Sequence, residues 1–196
     1  LIAKKPGLKA IDLFEAVESG KIKAIWIMAT NPVVSLPNAD QVKRALEKCE
    51  FVVVSDICLD TDTTQYADVL LPALGWGEKD GTVTNSERRI SRQRAFLDIP
   101  EQAQADWWSV SQVAKKLGFQ GFDFESSHDI FKEHAQLSAY QNAEIALRSS
   151  TETFRYFNLA GLTNLSLDDY QELEPTHWPV LAPLKTGQTK PNTFHQ

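Results

Sequence analysis

Five polar side chains stand where apolar runs break off, and their types suit the holding of a ligand. Asn31 follows "IWIMAT", Ser55 and Asp56 close "FVVVSD", Lys79 lies in "GEKDGT", and Asp106 opens "DWWSV". Carboxylates accept hydrogen bonds from ribose hydroxyls or from the N1–H and amino edge of guanine. An amide works in both directions, a small hydroxyl donates, and a lysine ammonium meets phosphate as a point charge. Each residue also has a plainer reading: Asp106 as a helix cap, Asp56 as a turn residue, Lys79 as a solvated charge. The residues alone leave both open.

Other chemistries find less support. The four histidines, 128, 134, 177 and 195, form no HExxH pair, and no His/Cys group has zinc spacing, so no metal ligand is expected in the chain. There is no GxSxG elbow, and neither Cys49 nor Cys58 has an evident electropositive niche. "DTDTT" lacks the glycine and terminal glutamate of a calcium loop and reads as a polar loop whose Asp side chains bond nearby backbone. GxGxxG and GxxxxGK[ST] are both missing, so scattered side chains rather than a glycine loop would hold a nucleotide. Arg88, Arg89, Arg92 and Arg94 fit a solvated or domain-facing arm as well as a ligand contact, and Trp107–Trp108 fit packing better than a stacking platform.

The 196 residues, 42% hydrophobic and 23% charged, suffice for one sizeable core. A formal charge of -6 argues against a general nucleic-acid binder. Apolar runs such as 51–54 and 69–74 are far shorter than a bilayer span, and residues 1–20 lack a signal-peptide layout. Two cysteines without CxxC suit a reducing compartment, so the expected location is cytoplasmic.

These residues need elements to position them. Ala10, Leu13, Phe14 and Val17 mark a helix over 9–19, with Gly20 as its left-handed stop. "KAIWIMATNP" reads as a strand feeding a loop, and Ala39, Val42, Leu46 and Cys49 mark a second helix. "FVVVS" is a strand buried on both sides, and "ADVLLP" a third. Apolar strands alternating with amphipathic helices imply an α/β fold with a Rossmann-like parallel sheet covered on both faces, whose ligands bind beyond the strands' carboxyl ends. In residues 78–97 Asp80–Gly81 reads as a turn, and the segment as an irregular hairpin or an extended arm. Asp106 reads as the N-cap of a helix striped by Trp107, Val110, Ala114 and Leu117 and stopped by Gly118. Helices near 127–147 and at 166–173 and the Pro-rich "EPTHWPVLAP" follow. The expected division is a nucleotide-binding α/β region over 1–125, then peripheral helices and an exit segment over 126–196 of the same domain.

Together, "IWIMATNPVVSLPN", "FVVVSDICLDTDTTQYADVLLPALGWGEKDGTVTNSERRISRQR" and "ADWWSV" resemble the third domain of molybdopterin oxidoreductases of the dimethyl sulfoxide reductase family. Within that family they look most like catalytic subunits of assimilatory nitrate reductases, continuously over about 5–118 and more weakly through "FNLAGLTNLS" and "HWPV". The resemblance implies that the domain holds one guanosine-phosphate arm of a molybdenum bis(molybdopterin guanine dinucleotide). By residue-by-residue carry-over, Asn31, Ser55, Asp56, Lys79 and Asp106 are the cofactor contacts. The polar loop "ICLDTDTT" is one residue longer than in some relatives, so Thr61 to Thr64 are not carried over. It also implies an internal fragment of a longer enzyme. The [4Fe-4S] cysteine motif, the molybdenum-ligating residue and the domain completing the cofactor sites lie elsewhere, and no catalytic residue lies here. The expected partners are the remaining domains of that chain, an electron-donor protein or domain, and nitrate, with neither nucleic acid nor membrane. Formate oxidation, or a non-catalytic scaffold subunit, is the alternative.

Overall fold

A β-branched run placed between two other strands builds the first sheet. In the computed structural model, which describes residues 4–142 and 155–182, β1 (Ala24–Met28), β2 (Phe51–Asp56) and β3 (Val69–Pro72) form a parallel sheet in the order β1-β2-β3. The register sets Ile25 beside Val52, Ile27 beside Val54, and Val54 beside Leu70. Alternation along a strand puts all five on one face. There they meet Phe14 and Val17 of α1 (Ala10–Glu18), Val33 of α2 (Pro32–Ser35), and Val42, Ala45 and Leu46 of α3 (Ala39–Lys48). Burying one such valine contributes about 1.5–3 kcal/mol, so this face supports the sheet.

Coverage of the opposite face differs from the expectation. Trp26, Met28, Val53 and Leu71 are half-buried, and Phe51 is 45% exposed, so β2 is closed on the α1–α3 side and only partly on the other.

The helix ends follow local chemistry. At the end of α1, the Gly20 N–H bonds Val17 O and the Lys21 N–H bonds Ala16 O; these two bonds close a Schellman cap around a residue at φ 73°, where only glycine is unstrained. Gly118, at φ 82°, closes α4 (Asp106–Lys116) the same way. Asp106 is not the N-cap. It is the first helical residue, and the Ala105 carbonyl accepts from Trp108 and Ser109, leaving Asp106 in the first turn, where its charge complements the helix dipole. The expected α4 stripe holds in part: Ala114 is buried and Trp107 half-buried, while Val110 and Leu117 are exposed and Ser111 is buried in addition.

Compact units divide at 76/77, 96/97 and 113/114, whereas the sequence reading set its boundary at 125/126. The first unit holds the parallel sheet and residues 97–113. The second contains the β4 (Gly81–Thr84) and β5 (Arg89–Gln93) hairpin, α5 (Ser127–Ala139), α6 (Leu167–Gln171) and β6 (Thr176–His177), which pairs with β5. Its core is Ile90, Phe131, Ala135, Leu159, Leu162 and Tyr170. The hairpin reverses at 85–88 rather than at Asp80–Gly81. Asn85 Oδ1 accepts the N–H groups of Glu87 and Arg89, and Arg88 takes φ 68°, while Gly81 is already paired with Gln93. Helix α5 ends at Ala139, and the end expected for it at 147 lies outside the described residues. Ser166 caps α6 by accepting the Asp169 N–H at 3.1 Å, as its spacing predicts. No helix among the described residues is long and apolar enough to cross a membrane.

Two outcomes test this fold. Val54→Ala should lower the stability of the chain in urea by about 2 kcal/mol and Val53→Ala by about half as much, because only the first empties the closed face. The Asp129 carboxyl closes a capping box on α5, where the Ser126 hydroxyl bond chiefly, with the N–H groups of Glu125 and Ser126, holds it below the ordinary carboxylate value. A lowered folded pKa means stabilisation complete above the unfolded value of about 3.9 and lost as pH falls through the folded one. Helical circular dichroism followed through that acid range should fall less steeply in Asp129→Asn.

Candidate functional site

Parallel strands all end on one edge, and the segments that leave β1, β2 and β3 collect there. Asn31 follows β1 by three residues, and Ser55–Asp56 is the end of β2, with Ser55 beside Met28 and Asp56 beside Pro72. The edge continues past β3: Gln104 N–H bonds Pro72 O at 3.0 Å, and Leu74 N–H bonds Gln104 O at 3.2 Å. Asp106 lies two residues beyond that bridge, in the first turn of α4. Four of the five expected site residues, Asn31, Ser55, Asp56 and Asp106, are thus arrayed along one carboxyl-end edge of the first unit. Lys79 belongs to the second unit.

Hydrogen bonding fixes what each side chain can offer. Thr63, fully buried, donates its hydroxyl to Asn31 Oδ1 at 2.6 Å and accepts the Val33 N–H at 3.3 Å. That leaves the Asn31 Nδ2 donors for a ligand. Asp56 Oδ1 accepts the Cys58 N–H at 2.9 Å, turning the chain out of β2, and Oδ2 takes no partner among the described residues. Ser55 is 3% exposed and accepts the Trp26 indole N–H at 2.9 Å, so its remaining capacity is one donated proton. Beyond Asp56, Ile57 and Leu59 are 65% and 79% exposed, an apolar margin beside a carboxylate.

The loop that follows is braced by its threonines. Thr61 N–H donates to Thr64 Oγ1 at 2.7 Å, and Thr64 N–H to Thr61 Oγ1 at 3.1 Å. "DTDTT" is therefore a self-bonded polar loop, but the hydroxyls of Thr61 and Thr64, rather than the expected Asp side chains, make these bonds. Thr63 is the residue that the sequence reading missed. Its only signal is a run of threonines; its role needs the pairing with Asn31, 32 positions away.

Lys79 lies between the 3₁₀ turn Trp76–Glu78 and β4, half-buried. Its neighbour Asp80 pairs with Arg92 at 2.7 Å and accepts the Ser127 hydroxyl. Arg92, with a side chain 4% exposed, is thus a structural cation inside its unit, which fits the domain-facing reading of that residue and not the solvated one.

Chemically, the first-unit edge offers an open carboxylate oxygen, an amide NH2, a hydroxyl proton and a second carboxylate in one row. This set complements a ligand carrying N–H and O–H donors with acceptors nearby, as on a guanosine. It contains no nucleophile–base pair.

Known proteins bear on this geometry. Residues 2–116 match the family described as Molybdopterin oxidoreductase. The chain is 52% identical to a nitrate reductase of Shewanella frigidimarina over 193 residues, 98% of this chain and 20% of that protein. It is 39% identical to the F420-dependent formate dehydrogenase subunit alpha of Methanocaldococcus jannaschii over 172 residues, 87% of this chain and 22% of that protein. Acetylene hydratase from Pelobacter acetylenicus shares the fold at a TM-score of 0.60 and 18% identity, with 85% of this chain and 20% of that structure covered. The chain therefore spans about a fifth of the length of these relatives. With its parallel sheet and its match over residues 2–116, this chain belongs to the molybdopterin oxidoreductases.

Proposed function

We propose that the chain is one segment of a longer molybdenum enzyme that reduces nitrate to nitrite, and that it holds a guanosine-phosphate arm of bis(molybdopterin guanine dinucleotide). The observation that carries this reading is the row of Asn31, Asp56 and Asp106 along one sheet edge, with the Asp56 Oδ2 and the Asn31 NH2 still available. The 52% identity to a nitrate reductase supports nitrate over formate.

The residues fit the group. Asp56 accepts from the guanine N1–H and amino edge, with Ile57 and Leu59 as the apolar margin for the base, and Asp106 accepts from ribose hydroxyls. Asn31 donates to an acceptor of the nucleotide, and Ser55 donates its hydroxyl proton. When bound, the molybdenum–pterin group supplies the two-electron, oxygen-atom chemistry; the protein here supplies orientation and electrostatics. The rest of the enzyme carries the [4Fe-4S] cluster and the electron entry, in the cytoplasm, and this segment alone is inactive.

In the full-length protein, Asp56→Asn and Asp106→Asn should each weaken cofactor retention by about ten-fold or more, since a charge-assisted bond is worth roughly 1.5–3 kcal/mol. Molybdenum by mass spectrometry and GMP released by acid hydrolysis would both drop per mole of protein, with the melting temperature held. Wild-type loading in both variants defeats the reading, and parallel nitrate and formate assays settle the substrate.

A smaller effect of the same kind is expected for Thr63→Val, which unlocks Asn31, and Thr63→Ser should restore loading. A Thr63→Val protein as well loaded as wild type would show that Asn31 needs no anchor.

A further inference from the structure

The apolar pattern of β3 does not by itself fix where that strand pairs with β2. All of Val69, Leu70, Leu71 and Pro72 are apolar, so a slip of two residues keeps the alternation of faces and sets Pro72 where Leu70 now lies beside Val54. The crossover does not fix it either. Residues 57–67 join the end of β2 to the start of β3, and an extended chain covers roughly 3.3 Å per residue, far more than the return along β2 requires.

A side chain supplies what the pattern lacks. Asp68, just before β3, accepts the Val52 N–H on Oδ2 at 2.7 Å and returns its own N–H to Val52 O at 2.9 Å. One residue at the start of each strand is thus closed into a ring of two hydrogen bonds, one of them to a carboxylate and therefore the stronger kind. Only the observed register makes this ring. A two-residue slip brings Leu70 beside Val52, and leucine has no acceptor to offer.

The landing of the crossover also decides where Thr63 sits. The Tyr66 N–H bonds Thr63 O and the Ala67 N–H bonds Thr64 O, each at 3.1 Å, so residues 63–67 form a bonded turn that ends on Asp68. From that turn the Thr63 hydroxyl donates to Asn31 Oδ1 at 2.6 Å. A two-residue slip carries the turn about 6.6 Å along β2, well out of hydrogen-bond reach of Asn31. We propose that Asp68 is the register clamp of the β2–β3 pair and, through the turn that carries Thr63, a positioning residue for Asn31. The inference rests on the sheet-edge reading of Asn31 given above. Asp68 itself touches no cofactor atom in this scheme, and every residue it acts through belongs to the first unit.

Two measurements on the full-length holoenzyme test it. The first reads register by cysteine trapping. Residues directly opposite on neighbouring strands have Cα atoms about 4.8 Å apart, and residues offset by two positions roughly 8 Å, beyond disulfide reach. With Asp68 present, mild oxidation should link Val53→Cys to Val69→Cys and leave Val53→Cys with Leu71→Cys unlinked, as identified by mass spectrometry of peptides. In Asp68→Leu the 53–71 link should appear, and Asp68→Asn, which keeps an acceptor oxygen, should abolish it again. The second follows cofactor loss as GMP remaining, after acid hydrolysis, on protein sampled at intervals after desalting. Asp68→Leu should speed that loss about three-fold, the scale of freeing one held side chain, and Asp68→Asn should return it to the wild-type rate. Combined with Thr63→Val, Asp68→Leu should add nothing further, because both act through one hydroxyl, while their effects on melting temperature still add. If Asp68→Leu fails to fold, Asp68→Ser, whose shorter side chain cannot reach the Val52 N–H in the same way, replaces it in every arm. An exclusive 53–69 link in Asp68→Leu overturns the clamp, and additive or unchanged cofactor loss overturns the positioning role. Wild-type retention in Asp56→Asn and Asp106→Asn removes the sheet-edge reading and the positioning role with it, while the cross-links judge the register clamp by themselves.

Discussion

Parallel pairing of β2 between β1 and β3 is the constraint on which the site depends. In a parallel sheet every strand delivers its carboxyl end to the same edge, so whatever follows each strand is collected there without further instruction. Val52 and Val54 hold β2 in place by burial against α1 and α3, and a slip of one residue would turn both valines out of that core. The same slip would move Ser55 away from Trp26 and carry Asp56 off the edge. Core register and ligand geometry are one constraint.

Past the strand ends the burden shifts from burial to polar bonding. The eight residues after Asp56 are mostly polar and cannot be fixed by packing, so they are fixed by hydrogen bonds: Asp56 to the Cys58 N–H, Thr61 and Thr64 to each other, and Thr63 to both Asn31 and Val33. Thr63 is fully buried, which removes water as a competitor and makes its two bonds costly to break. It also ties the segment leaving β1 to the segment leaving β2.

What could be read in the sequence divides along a physical line. The strand segments, α1, α3, the glycine stops at 20 and 118 and the Ser166 cap depend on neighbours within a few positions, so periodicity and residue type suffice. The pairing of β6 with β5 and the inward turn of Arg92 depend on residues tens of positions apart. A run of arginines looks like a solvated arm until a carboxylate and an aromatic face are known to meet one of its members. The candidate site divides the same way: Asp56 stands out as a carboxylate ending an apolar strand, whereas Thr63 has nothing local to mark it.

A site of side chains rather than a glycine-rich loop faces a particular difficulty. Backbone N–H groups in a phosphate loop are ordered by the fold itself, but a free side chain must surrender rotamer freedom on binding, at about 0.5–1.5 kcal/mol each. The structure meets this by giving the candidate site residues partners of their own. Asn31 has Thr63, Ser55 has Trp26, and Asp56 has the Cys58 N–H. Each anchor spends part of a polar group's bonding capacity to fix its direction and leaves the remainder for a ligand. On this view the supporting residues, not only the contacting ones, decide how well such a segment holds its share of a cofactor.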